Sequence, residues 1–102
     1  MALHNANRFE EALQAYVEYL RENPDEPMAM LRLGVLCYQR CEFETAATLF
    51  ARVAELQPNN DDAFNNLGLS LRAMERHEDS GRYFAEAVRL NPNNAVAHAH
   101  LG

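Results

Sequence analysis

The chain has 102 residues, of which 24% are charged, and a formal net charge of −6 at pH 7. This length suits one domain, and the acidic balance argues against nucleic-acid or anionic-membrane partners, which select basic surfaces. Cys37 and Cys41 are too few for a disulfide framework, and no stretch reaches the roughly 18 apolar residues of a membrane span. The first residues carry no export signal, so we expect a cytoplasmic location.

A 34-residue period runs through the chain. Pro24, Pro58 and Pro92 recur at this spacing, as do the Leu-Gly pairs at 33–34, 67–68 and 101–102. A period of this length is typical of a solenoid of stacked units. It predicts a single domain over 1–102. Each unit of this domain is expected to contain two helices. The domain consists of a partial unit at 1–26 that holds only the second helix, full units at 27–60 and 61–94, and the start of a further unit or a C-terminal helix at 95–102.

The apolar spacing within these units predicts a run of helices. Phe9, Leu13 and Tyr16 begin one apolar face of a first helix at 9–22, which ends at Asn23 because Pro24 pushes that residue out of helical geometry. Later helices are predicted at about 27–40, 43–57, 62–74 and 78–90, and another begins at 95. Polar Pro-Asn-Asn turns separate the later units and can cap the helices that follow.

At these positions the chain resembles the tetratricopeptide repeat family, whose pattern is W-x2-L-G-x2-Y, then A-x3-F, then P. The corresponding residues of the two full units are Met30, Leu33, Gly34, Cys37, Ala46, Phe50 and Pro58, and Phe64, Leu67, Gly68, Leu71, Ser80, Phe84 and Pro92. The resemblance implies an all-α fold, a right-handed α-solenoid of antiparallel helix pairs. Small residues such as Gly34 and Gly68 let paired helices approach, while Tyr16, Phe50 and Phe84 fill the space between units.

The resemblance also implies a function, that of a non-enzymatic scaffold which binds a peptide or protein segment in its concave groove. The first helix of each unit lines that groove. The residues expected there are Met28, Leu31, Arg32, Val35, Tyr38, Asn65, Asn66, Leu69 and Arg72. Asn66 matches an asparagine with which many family members hold a peptide backbone, since an amide both donates and accepts hydrogen bonds.

Leu31, Val35 and Tyr38 share one helix face and form an apolar patch, which tends to mark a binding site when exposed. Either the ligand contacts this patch, or the patch is covered by the N-terminal segment or by a second copy of the chain. Some family members grip a chaperone's C-terminal carboxylates with a clamp of lysine, arginine and asparagine. We do not expect that clamp, because Leu31 and Val35 occupy its lysine and asparagine positions.

The sequence predicts no catalytic site, no metal site and no cofactor. It has no glycine-rich phosphate loop, no nucleophile elbow and no HExxH motif. Zinc needs more ligands than Cys37 and Cys41 supply, and the four histidines are scattered. We expect Cys37 in the core, Cys41 at a turn, and His77 packed at a helix start.

The ends of the array leave the function open. Solenoids need polar capping elements, yet the array opens inside a unit and closes with a half-helix at 95–102. We therefore expect either self-association through these uncapped ends, as a homodimer for example, or a segment of a longer array. The family resemblance implies one alternative function, a substrate-presenting segment of a larger enzyme such as a glycosyltransferase, and the uncapped ends suggest another, a self-assembly module.

Overall fold

The computed structural model of the protein describes residues 2–93, with side chains described from residue 9 onward. Its helices are α1 (Ala2–Glu22), α2 (Pro27–Gln39), α3 (Phe43–Leu56), α4 (Asp61–Ala73) and α5 (His77–Leu90). Residues 2–93 contain no strand, so the predicted all-α class is confirmed. The helix expected from residue 95 lies outside the described residues.

The first helix is longer than the apolar pattern predicted. It begins at Ala2 instead of Phe9, because residues 2–22 contain neither glycine nor proline and include several strong helix formers. The other four helices begin and end within one residue of the predicted positions. One start is fixed by a side chain: Asn60 caps α4 by accepting a hydrogen bond from the Ala63 amide at 3.2 Å.

Each helix packs against the next one along the chain, and α2 also contacts α4. Consecutive packing of this kind is the arrangement of a solenoid, in which contacts stay between neighbours. The contact between α2 and α4 places the first helices of successive helix pairs side by side. Together with α1, they enclose the surface that is described below as the candidate site.

One close contact recurs in the two helix pairs, α2 with α3 and α4 with α5. A Cβ atom on Gly34 would lie 2.6 Å from Cε1 of Phe50, and a Cβ atom on Gly68 would lie 2.7 Å from Cε1 of Phe84. Both distances are far below van der Waals contact, so the close approach of the paired helices requires a residue without a side chain. Each phenylalanine is 1% exposed. These two rings anchor the core of their helix pairs.

The turns after α2 and α4 are built alike. Cys41 and Glu75, which occupy equivalent positions in successive units, both adopt a left-handed backbone, with φ of 64° and 63°. Cys41 is exposed at this turn, as expected. Cys37 lies in the core, also as expected, and burial raises the pKa of its thiol.

His77 does not pack at the start of α5, so that expectation was wrong. Its side chain is exposed. Phe43, at the same place in α3, instead packs edge-on against the ring of Tyr38, with centroids 5.1 Å apart. An imidazole is polar and loses less than a phenyl ring by staying in water, which accounts for the difference.

Candidate functional site

A cleft of about 440 Å³ lies among residues of α1, α2 and α4. We call it the groove. It is lined by Ala12, Tyr16, Met28, Leu31, Arg32, Val35, Leu36, Gln39, Asp62 and Asn66. Most of these residues belong to α2, where a spacing of three or four residues brings side chains to one face. The groove is therefore mainly a surface of α2, closed on its two sides by α1 and α4.

Five of the predicted site residues line the groove: Met28, Leu31, Arg32, Val35 and Asn66. Met28 is 56% exposed and Val35 is 36% exposed. Leu31 is half-buried and packs against two clusters of buried residues, a main one around Phe50 and a smaller one around Val53, so it forms the floor of the groove. Apolar side chains as open to water as Met28 and Val35 gain free energy when an apolar ligand covers them.

Tyr38 is placed differently from the other members of the predicted apolar patch. Its ring is half-buried and packs against the main core cluster around Phe50. It also contacts the Phe43 ring edge-on, at an interplanar angle of 67°. It does not appear in the lining of the groove. The apolar surface that α2 offers in the groove thus comes from Met28, Leu31 and Val35.

The two adjacent asparagines of α4 have different environments. Asn66 is half-buried in the groove lining, and its backbone carbonyl accepts a hydrogen bond from the Ser70 hydroxyl at 3.0 Å. Asn65 is 7% exposed, and its buried Oδ1 atom has no hydrogen-bond partner among the described residues. A buried acceptor without a partner costs about 1–3 kcal/mol. Of the two side chains, Asn66 is the one that the groove leaves accessible.

Leu69 and Arg72 continue along α4 beyond the groove lining. They follow Asn66 at intervals of three residues, which places the three side chains along one strip of the helix. Leu69 is half-buried, and the Arg72 guanidinium carbon lies 5.7 Å from the centroid of the Phe84 ring. This strip is more polar than the groove surface of α2.

The charges in the groove nearly cancel. Arg32 and Asp62 are the charged residues of its lining, although the whole chain carries a net charge of −6. Arg32 is exposed and makes no ion pair with any side chain of the described part. The groove is therefore a mainly apolar surface whose charged and amide side chains are Arg32, Asp62, Gln39 and Asn66.

The sequence pattern missed the contribution of α1 to the groove. Ala12 and Tyr16 line it, although both stand at positions whose equivalents lie in the core. The equivalent of Tyr16 in the next unit is Phe50, which is 1% exposed.

Two absences in the described part of the chain concern metals and membranes. Among these residues, no three His, Cys, Asp or Glu side chains come together in a way that could hold a metal ion. No helix within 2–93 combines the length and the apolar character needed to cross a membrane.

Two sequence comparisons give different results. The family model described as "Tetratricopeptide repeat" matches residues 1–61 and 42–95. A search of curated protein sequences finds no match.

Solved structures resemble the chain over nearly its whole length. The "First TPR of Spaghetti (RPAP3) bound to HSP90 peptide SRMEEVD" gives a TM-score of 0.89 at 18% identity, covering 96% of this chain and 78% of that one. The structure "MamA 41-end from Desulfovibrio magneticus RS-1" gives 0.87 at 26% identity, covering 98% and 56%. "YrrB: a TPR protein with an unusual peptide-binding site" gives 0.86 at 24% identity, covering 96% and 51%. These likenesses confirm the predicted solenoid of antiparallel helix pairs.

Proposed function

This chain belongs to the tetratricopeptide repeat family, and we propose that it is a non-enzymatic scaffold whose groove binds a peptide or protein segment. Family and fold support a protein-interaction module. Two solved structures of the same fold add to this support, since one is described as bound to an HSP90 peptide and another as having an unusual peptide-binding site. The observation that carries the proposal is the apolar surface of α2, on which Met28 and Val35 remain substantially exposed.

The groove favours a ligand with apolar side chains and little net charge. Met28, Leu31 and Val35 would contact the ligand's apolar side chains, which gives about 25 cal/mol for each Å² of apolar surface removed from water. Asn66 would hydrogen-bond the ligand's backbone, because its amide can serve a peptide N–H and a peptide C=O. Arg32 would bind a backbone carbonyl or a single carboxylate.

The remaining predicted site residues take supporting roles in this proposal. Tyr38 holds α2 against the start of α3 through its contact with Phe43. Leu69 and Arg72 extend the surface along α4 for a ligand longer than the groove. Asn65 is too buried to meet the ligand without a local rearrangement.

The test is a peptide-display selection against the wild-type chain, followed by affinity measurements on the selected peptides. We expect enrichment of peptides with spaced apolar residues, and a loss of affinity of at least about tenfold in Val35→Asp, since about 1.4 kcal/mol corresponds to that factor. Leu56→Asp is the matched control, because Leu56 and Val35 are both 36% exposed but Leu56 lies on α3. Equal binding by both variants would show that the ligand does not occupy the groove.

The enzymatic alternative gives a different result in the same experiment. If the chain presents substrates to a catalytic domain of a larger enzyme such as a glycosyltransferase, the selected peptides should contain the residue type that is modified. Val35→Asp should then lower the modification of those peptides by the complete enzyme. The groove residues have the same role in both cases, so this alternative changes the partner and not the site.

A further inference from the structure

The face of α1 that carries Tyr16 and Tyr19 is more exposed than the same face of α3 and α5. Tyr19 is 47% exposed, whereas Val53 and Ala87, its equivalents in the next two units, are 0% exposed. Tyr16 is half-buried, whereas Phe50 is 1% exposed at the equivalent place. The same residue positions thus face a partner in α3 and α5 but lack one in α1, within the described part of the chain.

The structure itself shows what covers such a face. On α3, the covering helix is α2, whose Gly34 lies against Phe50 and whose Met30 packs with Val53 and Ala63 in one core cluster. On α5, the covering helix is α4, with Gly68 in the same position against the Phe84 ring. A helix with a glycine at the crossing point and a larger side chain four residues earlier therefore fits this kind of face.

A cleft lies at the corresponding place on α1. It measures about 470 Å³ and is lined by Ala15, Tyr16, Tyr19, Glu26, Met28, Ala29 and Arg32. We call it the α1 slot. In the next unit, the equivalents of its Tyr19 and Ala29 are Val53 and Ala63, which share a core cluster with Met30. The slot is thus the counterpart of a site that α2 fills one unit later.

We propose that the α1 slot binds residues 95–102 of a second copy of this chain. That segment has the sequence of a covering helix, since Leu101-Gly102 repeats Leu33-Gly34 at the 34-residue period. In the same register, Gly102 would lie against Tyr16, and His98 would enter the slot between Tyr19 and Ala29. One copy supplies the first helix of a unit and the other copy supplies the second, so a complete unit forms across the contact.

This contact joins two different surfaces, so it is a head-to-tail contact. Such contacts close into a ring, of which a dimer with two reciprocal contacts is the smallest, or continue into an open chain. The proposal goes beyond peptide binding, and Tyr19 separates the two sites because it lines the α1 slot but not the groove.

Sedimentation velocity across a dilution series tests the proposal. We expect the wild-type chain to associate as its concentration rises, into a closed ring or a longer chain. Tyr19→Glu should weaken association by at least about tenfold, as truncation or charging of a central tyrosine often does. Gly102→Leu should weaken it similarly, because the new side chain would collide with Tyr16. Circular dichroism checks that both variants remain helical, which the exposure of Tyr19 leads us to expect.

Matched controls and a mixture complete the experiment. Gly81→Leu should leave association unchanged, because a Cβ atom on Gly81 meets no atom within 4 Å. Tyr19→Glu and Gly102→Leu each keep one intact surface, so an equimolar mixture should form a dimer that neither variant forms alone.

Three outcomes would overturn the proposal. A wild-type chain that stays monomeric at all concentrations excludes the contact altogether. Association that persists unchanged in Tyr19→Glu assigns it to another surface. Association that is lost in Tyr19→Glu but kept in Gly102→Leu indicates a symmetric pairing of two α1 faces, in which residues 95–102 take no part. Under the proposal, Val35→Asp should leave association intact, because Val35 lines the groove and not the α1 slot, and this keeps a failure here distinct from a failure of peptide binding.

Discussion

The helices α2 and α4 share one scaffold but present different surfaces. Each places the glycine of a Leu-Gly pair against a buried phenylalanine of the following helix, at nearly identical distances. Their groove-side residues differ: α2 lines the groove with Met28, Leu31, Arg32, Val35, Leu36 and Gln39, whereas α4 lines it with Asp62 and Asn66. Packing against a neighbour restricts a position to one residue type, whereas a position that faces water can vary with the ligand. Functional differences between the two helices are therefore expected on the groove side.

The largest expected effect comes from removing the buried phenylalanine ring against which α2 or α4 packs. Phe50→Ala and Phe84→Ala should each lower the free energy of unfolding by about 3–5 kcal/mol, through lost burial and a residual cavity. Both rings are 1% exposed, so the two losses should be similar. Tyr16→Ala, at the equivalent place in α1, should cost less because Tyr16 is only half-buried. Urea unfolding followed by circular dichroism measures all three.

A clear difference between Phe50→Ala and Phe84→Ala would contradict the equivalence of the two helix pairs. If Tyr16→Ala cost as much as the two phenylalanine variants, the face of α1 would be covered in solution. Dilution would then show whether a second copy covers it, because the cost would fall as the copies separate.

A smaller effect comes from the two glycines at the crossing points. Gly34→Ala and Gly68→Ala should each destabilise the chain by about 1–3 kcal/mol, because the added methyl group forces a ring or a helix to move. Gly81→Ala is the control with the opposite sign. It should stabilise α5 by up to about 1 kcal/mol, since alanine is the better helix former and the site is open. A stabilising Gly34→Ala would mean that α2 and α3 are less closely packed than described.

The sequence predicted the scaffold better than it predicted the site, for a physical reason. Leu33-Gly34 and Leu67-Gly68 repeat because the same contact has to form twice, so the period alone indicates the packing. The groove has no such constraint. Val35 could be placed on it from helical spacing, but the burial of Asn65 depends on neighbouring helices that the spacing does not describe.

The same reasoning explains the position of Tyr38. Helical spacing places it on one face with Leu31 and Val35, but it does not reveal that Phe43 follows the turn closely enough to pack against it. The early start of α1 is a further case. The apolar face that begins at Phe9 marks where α1 starts to bury side chains, whereas the helix itself continues back to Ala2 for lack of any residue that would end it.

The smallest expected effect concerns the residues that directly precede α2 and α4. Asn60 and Glu26 precede these helices with nearly the same backbone, φ −86° and ψ 97° against φ −89° and ψ 102°, but a side-chain cap hydrogen bond forms at Asn60 alone. Asn60→Ala should lower the free energy of unfolding by about 1 kcal/mol. Glu26→Asn should raise it by less, a few tenths of a kcal/mol, because the cap hydrogen bond is gained while a favourable charge at the helix start is lost.

Urea unfolding of both variants beside Asn59→Ala measures the cap directly. Asn59 is exposed and one residue too early to cap α4, so its substitution should leave stability unchanged. If Asn60→Ala behaved like Asn59→Ala, the hydrogen bond from the Ala63 amide would contribute nothing in water. If Glu26→Asn lowered stability, the charge of Glu26 would outweigh the missing cap. In that case α2 and α4 would start by different means, one by charge and the other by a hydrogen bond, on the same backbone.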